Sequence, residues 1–302
     1  MANVHHAAGP RDRLLVLAAG VLFSTGGAAV KACSLNGWQI ASFRSGIAAL
    51  ALLALIPAAR KRWTRQTWVI GLAYAGTMIL FVVANKMTTA ANTIFLQDTA
   101  PLYILLLGPL LLDEPGRRRD LFFIVILAAG MSLFFVGDQP ATVTAPQPVL
   151  GNTLALAAGI CWALTLIGLR RLGRTGQGEG APAAVACGNL IAFLAVLPFA
   201  LPVGPSTTAD WGSIIFLGVF QIGLAYVFLT RGMRRVPALE ASLLLLVEPV
   251  LNPIWAFFAH REIPTNWAIL GGVIVLGATA IKALVDDRSP SASPNEKNHS
   301  SG

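Results

Sequence analysis

Two carboxylates sit where carboxylates are expensive. Asp98 and Glu248 each lie near the middle of a long apolar run. An ionised side chain at the centre of a bilayer is costly, and such residues by default bind solutes, carry protons or pair with one another. Each acid stands within one helical turn N-terminal to a proline, in Asp98-Thr99-Ala100-Pro101 and in Glu248-Pro249. Proline removes a backbone donor and bends a helix, which frees a carbonyl beside the acid. Pro101 and Pro249 are therefore expected to be helix kinks. Two kinked helices carrying acids would make a central polar site. The same acids could instead be tied to hydroxyls or amides and pin helices together. A third ionisable group, Arg44, lies about one and a half turns inside its span. The near end of the span is within reach of its side chain, so snorkelling to the headgroups is the expected arrangement; pairing with an acid or a helix carbonyl is the alternative.

Other polar or aromatic residues inside the runs could line a cavity: Ser24, Tyr74, Gln97, Trp162, Gln221 and Tyr226. Tyr74 and Met78 are four apart and share a helix face. Trp162 lies away from both ends of its run, so an interfacial aromatic belt does not account for it. It either closes over a ligand or fills a gap between helices. The candidate substrate-binding set is Ser24, Tyr74, Met78, Gln97, Asp98, Trp162, Gln221 and Glu248.

No metal or other cofactor is expected. Cys33, Cys161 and Cys187 are scattered without metal spacing, and His5, His6, His260 and His299 lie at run ends or in tails. Gly176-Gln177-Gly178 lacks the Lys-Ser/Thr of a phosphate loop and reads as a linker. A membrane-embedded enzyme using Asp98 and Glu248 as acid and base would lack the surrounding Ser/His or metal constellations.

These residues need long helices to position them. The chain is 55% hydrophobic and 12% charged, against about 25% charged in an ordinary soluble domain. Ten runs approach the roughly 20 residues of a bilayer span: 14–31, 39–58, 67–85, 89–112, 120–137, 150–169, 182–201, 211–230, 238–259 and 266–284. Only helices satisfy the backbone in such runs, so the fold class is an all-α integral membrane protein. The net charge of +8 falls mainly on alternate loops, including Arg60, Lys61, Arg62, Arg117, Arg170, Arg171 and Arg231. That bias places both termini in the cytosol and makes nucleic acid an improbable partner. The partners expected are the lipid bilayer and a small-molecule substrate. No cleavable signal is expected, because the first dozen residues are polar.

The chain also repeats itself. Leu17-Ala18-Ala19-Gly20 recurs as Leu156-Ala157-Ala158-Gly159, followed three positions on by Phe23 and Trp162. Pro101 precedes Glu114, and Pro249 precedes Glu262, at one spacing. Five runs per half is an odd number, so the second half enters the membrane inverted. The expected division is a cytoplasmic segment over 1–13, a first five-helix repeat over 14–137, an external linker over 138–149, a second repeat over 150–284, and a disordered cytoplasmic tail over 285–302.

These features resemble the drug/metabolite transporter superfamily, in its ten-helix branch with two EamA-type halves. The resemblance rests on the duplicated Leu-Ala-Ala-Gly with its aromatic, on Arg44, and on the paired Pro…Glu stretches, and it covers about residues 14 to 284. It implies ten helices in two inverted repeats around a central cavity, alternating access, and export of amino acids, including aromatic ones, or of similar metabolites. Glu248 or Asp98 would accept a substrate ammonium; Gln97, Gln221 and helix ends would donate to its carboxylate. Trp162 and Tyr74 would contact the side chain. An uptake carrier or exchanger of another metabolite class is the alternative. Small residues through Leu270-Gly271-Gly272 to Gly277-Ala278 would pack either the bundle or a homodimer.

Overall fold

The computed structural model describes residues 9–61, 63–112, 118–136, 140–174, 180–233, 235–236 and 238–287. Glu114, Gln177 and the tail beyond 287 lie outside the described residues.

Fourteen α-helices are described: α1 Pro10–Ser24, α2 Gly26–Ala32, α3 Gly37–Leu55, α4 Arg65–Met87, α5 Ala90–Gln97, α6 Ala100–Leu111, α7 Arg118–Ser132, α8 Pro148–Arg174, α9 Ala181–Ala200, α10 Thr208–Ile215, α11 Ala225–Gly232, α12 Ala238–Leu245, α13 Val247–His260 and α14 Asn266–Asp287. A π-helical segment, Phe216–Leu224, joins α10 to α11. Several pairs of helices make one span each. Among the described residues, nine spans are long and apolar enough to cross a bilayer. The run expected over 120–137 is the fifteen-residue α7 closed by a 3-10 turn, Leu133–Phe135. Fifteen residues rise about 22 Å, short of the roughly 30 Å hydrocarbon core until the tighter turn extends them.

Capping explains where several helices begin. Asn36 accepts from the backbone of Gln39 at 2.9 Å and opens α3, while Gln39 returns the contact at 3.2 Å. Thr64 and Thr207 cap α4 and α10 in the same reciprocal way.

The packing maps onto itself when the two halves are exchanged. α4 packs on α8 and α9; its counterpart, the α10–π–α11 span, packs on α1 and α3. α3 meets α9, α7 meets α14, and α5 meets α13, each pairing one half with its equivalent in the other. Glycine permits the closest approaches: a Cβ on Gly27 would lie 2.6 Å from Asn252 Oδ1, and one on Gly188 would lie 2.7 Å from the Gly71 carbonyl. Gly271 and Gly272 face Gly130, Phe134 and Phe95 inside the bundle, so these two glycines pack this chain against itself.

The two proline-marked spans are broken rather than kinked. α5 ends at Gln97, Asp98 and Thr99 form a turn, and Pro101 stands in the first turn of α6. α12 ends at Leu245, and Pro249 stands in the first turn of α13. Proline is accommodated there because the first turn has no intrahelical acceptor for its missing N–H. The first span is also interrupted, at Thr25, whose hydroxyl donates to Leu22 O at 2.7 Å.

Candidate functional site

The helix breaks converge on a cavity of about 90 Å³. Asp98 enters it from the end of α5 and Glu248 from the first turn of α13, so both acids line one hollow. Both keep part of their surface open, as groups facing a hollow do. They occupy opposite helix ends: Asp98 follows the carbonyl end of α5, whereas Glu248 sits at the amide end of α13.

One face of α4 contributes Tyr74, Thr77, Met78 and Phe81. Their three- and four-residue steps follow the α-helical repeat. Gln221 and Tyr226 are five apart and both line the cavity. In an α-helix five residues turn about 140° past one full revolution, to a different face. The π-helical segment, with hydrogen bonds reaching five residues, brings them onto one side.

Four rings from four helices form an arc along the wall. Phe23 meets Tyr226 edge-on at 5.3 Å, Tyr226 meets Tyr74 at 6.3 Å, and Tyr74 meets Trp162 at 6.4 Å between centroids. Edge-to-face contact at these distances holds rings in place beyond simple burial. Phe23 and Trp162 are the equivalent aromatics of the duplicated motif, so the arc spans both halves.

Arg44 departs from expectation. It does not reach an end of its span; it is 1% exposed and its side chain lines the cavity. Its Nη2 donates to Met78 O at 3.3 Å and to Met78 Sδ at 3.5 Å, and its guanidinium lies 5.9 Å from the centre of the Phe81 ring. Its Nε is buried without a partner. The physical reason is rotational: reach along the helix permitted snorkelling, but this position on α3 faces inward.

The structure brings together Tyr74, Met78, Gln97, Asp98, Trp162, Gln221 and Glu248 from the candidate set. Ser24 stays outside the lining. Its hydroxyl donates to Val21 O at 2.7 Å and accepts from Trp255 Nε1 at 2.9 Å, which ties α1 to α13. Gln221 Nε2 donates to Phe23 O at 3.3 Å, and its Oε1 is buried without a partner. Its free atom is an acceptor, not the donor expected. Gln97 Oε1 is likewise buried and unpaired. Phe23, Thr77, Phe81 and Ile222 complete the lining. Thr77 and Phe81 were open to prediction, since they extend the Tyr74–Met78 face by helical steps. Among the described residues, no group of three or more His, Cys, Asp or Glu side chains could hold a metal ion.

A second polar cluster closes the bundle near the linker between the halves. Lys31 Nζ donates to the carbonyls of Asn85, Thr88 and Thr144 at 2.8, 2.8 and 2.6 Å, and pairs with Glu262 at 3.2 Å. Glu262 also accepts from Ala90 N at 2.7 Å. Nearby, His260 contacts Ala28 O at 2.9 Å through a ring nitrogen. Sequence reasoning assigned these groups no role, because no local pattern announces a convergence of loop ends.

Similar proteins agree with this architecture. The chain is 26% identical over 265 residues to the threonine/homoserine exporter RhtA of Salmonella typhimurium, covering 83% of each chain. It is 25% identical over 252 residues to the protein of the same name in Escherichia coli K12, covering 80% of this chain and 81% of the relative. An uncharacterized transporter of Bacillus subtilis, YetK, is 29% identical over 230 residues, covering 71% of this chain and 67% of that one. A solved crystal structure shares the fold at a TM-score of 0.59 and 22% identity, over 93% of this chain and 99% of that one. The sequence profile of the EamA-like transporter family matches residues 13–136 and again 149–283, most of the chain in two stretches. The matched family and these relatives are transporters rather than enzymes, and the chain belongs to the EamA-like transporter family.

Proposed function

We propose that this transporter exports small amino acids by alternating access through the central cavity. The observation that carries the reading is the convergence of two acids, one from each half, at broken helices beside a continuous aromatic wall. Discontinuous helices at a repeat interface are where secondary transporters bind substrate. Asp98, Glu248 and the unpaired oxygens of Gln97 and Gln221 offer acceptors for an ammonium group. Size supports a small solute. At about 90 Å³ the cavity is well below the roughly 300–1,000 Å³ of pockets for drug-sized ligands. The exporter names of the Salmonella and Escherichia relatives point to the same class and direction. The first repeat is assigned to 14–137 and the second to 150–284, joined by an external linker, with a cytoplasmic segment over 1–13 and a cytoplasmic tail over 285–302. We further infer that the chain acts in a bacterial inner membrane, as its Salmonella, Escherichia and Bacillus relatives suggest, with both termini cytosolic, on the charge bias of its loops.

The test is efflux of labelled threonine, homoserine and larger amino acids from proteoliposomes, with and without a pH gradient. Glu248→Gln preserves volume and loses charge, so it should cut transport about ten- to a hundred-fold, the worth of a charge-assisted hydrogen bond. Wild-type transport by both Glu248→Gln and Asp98→Asn would make the acids structural and sink the site. Orientation is checked separately. A cysteine at Thr142 should react with an impermeant thiol reagent from outside intact cells, and one at Lys61 should not; the opposite pattern would overturn the topology.

A further inference from the structure

We infer that Arg44 is the carboxylate receptor of the cavity, so that the transporter selects solutes bearing a free carboxylate opposite their ammonium group. This rests on the amino-acid reading above and adds the group that orients the substrate.

The wall is lopsided in a specific way. Its acceptors come from both halves: Asp98 and Gln97 from the first, Glu248 and Gln221 from the second. Arg44 is the one cation among the described lining residues. The equivalent helix of the second half, α9, carries no charged residue at all. Among the described residues, no carboxylate comes within 4.0 Å of Arg44, although two share its cavity. Arg44 is 1% exposed as a residue, yet the hydrogen-bond and ring partners of its guanidinium are one carbonyl, one thioether and one ring face, with Nε unpartnered. A buried cation left without a counter-ion is costly. A guanidinium offers five donors in a planar fork that matches a carboxylate in bidentate fashion. A bound carboxylate would supply the missing partner.

Tyr74 joins the two ends of this arrangement. It lines the cavity together with both Arg44 and Glu248. A zwitterion lying along Tyr74 would set its carboxylate toward α3 and its ammonium toward the broken helices α5 and α13. Its side chain would then be left to the aromatic arc. The orientation is fixed because only one side of an otherwise two-fold wall carries the positive charge.

The experiment uses the full chain in proteoliposomes and compares labelled L-threonine efflux against competition by L-threonine, L-threoninamide and 3-hydroxybutyrate. In wild type, threoninamide should compete at least about ten-fold more weakly than threonine, reflecting loss of a charge-assisted fork. Arg44→Gln should weaken threonine about ten- to a hundred-fold while leaving threoninamide within about three-fold, erasing the preference. Arg44→Lys, which keeps charge but not the fork, should restore part of the preference. Equal competition by acid and amide in wild type overturns the inference while export itself stands. So does an Arg44→Gln protein that weakens both alike, which marks Arg44 as structural. If direct flux shows no amino acid moving, but labelled 3-hydroxybutyrate moving in an Arg44-dependent way, the receptor stands and the amino-acid reading falls. If Arg44→Gln does not fold, the wild-type comparison of acid with amide decides alone.

Discussion

Lys31 and Arg44 are both buried cations, and the bundle treats them in opposite ways. Lys31 has three carbonyls and the Glu262 carboxylate around its ammonium, in a cluster whose two charged side chains are 3% and 4% exposed. Arg44 has a single carbonyl, a thioether and a ring face, with no acid in contact. A buried charge supplied with a partner ties elements together; one without a protein partner is available to a ligand. Burial alone would rank the two residues together. Their partners separate them.

The comparison breaks most visibly at Lys31. Lys31→Met leaves the Glu262 carboxylate buried without its counter-ion, which should destabilise the protein by about 3–5 kcal/mol. The expected result is a strongly lowered melting temperature in detergent, or loss of monodisperse protein. Adding Glu262→Leu removes the stranded acid as well and should recover much of the loss. Equal stability of Lys31→Met and wild type would show that the cluster is no strut. A smaller effect sharpens the other side. Trp162→Ala removes one end of the aromatic arc without touching charge, so it should reorder substrate preference by about ten-fold or less and leave total flux nearer wild type. The measurement is competition by amino acids of increasing size. An unchanged ranking would place Trp162 among packing residues.

Much of the cavity lining was legible because polar groups are rare in apolar helices. Asp98, Glu248, Gln97 and Gln221 stand out against such a background, and the duplicated motif pointed to Trp162 through its match with Phe23. Arg44 was misread because only its reach along the helix axis was weighed. Its helix also carries Gln39, Ser42 and Ser45, all buried, so polar residues on α3 turn inward and the rotation of the helix decides where Arg44 goes. Ser24 was misread for the reverse reason: a lone hydroxyl suggests a lining residue, but hydrogen bonds to Val21 and Trp255 use it within the bundle. The prolines marked the right places but not the right geometry, since at 101 and 249 they begin helices instead of bending them. The Lys31 cluster was invisible because residues more than a hundred positions apart meet there.

The nine residues of π-helix from Phe216 to Leu224 make the length of that span part of its information. If these nine residues settled to ordinary α-helical pitch with their number unchanged, every later side chain would turn by about 100° around the axis. Gln221 or Tyr226 would then leave the cavity, although no residue in the lining had been replaced. Residue count and pitch are therefore coupled here: a helix of ordinary pitch would present the same face to the cavity only with about one residue fewer in this stretch.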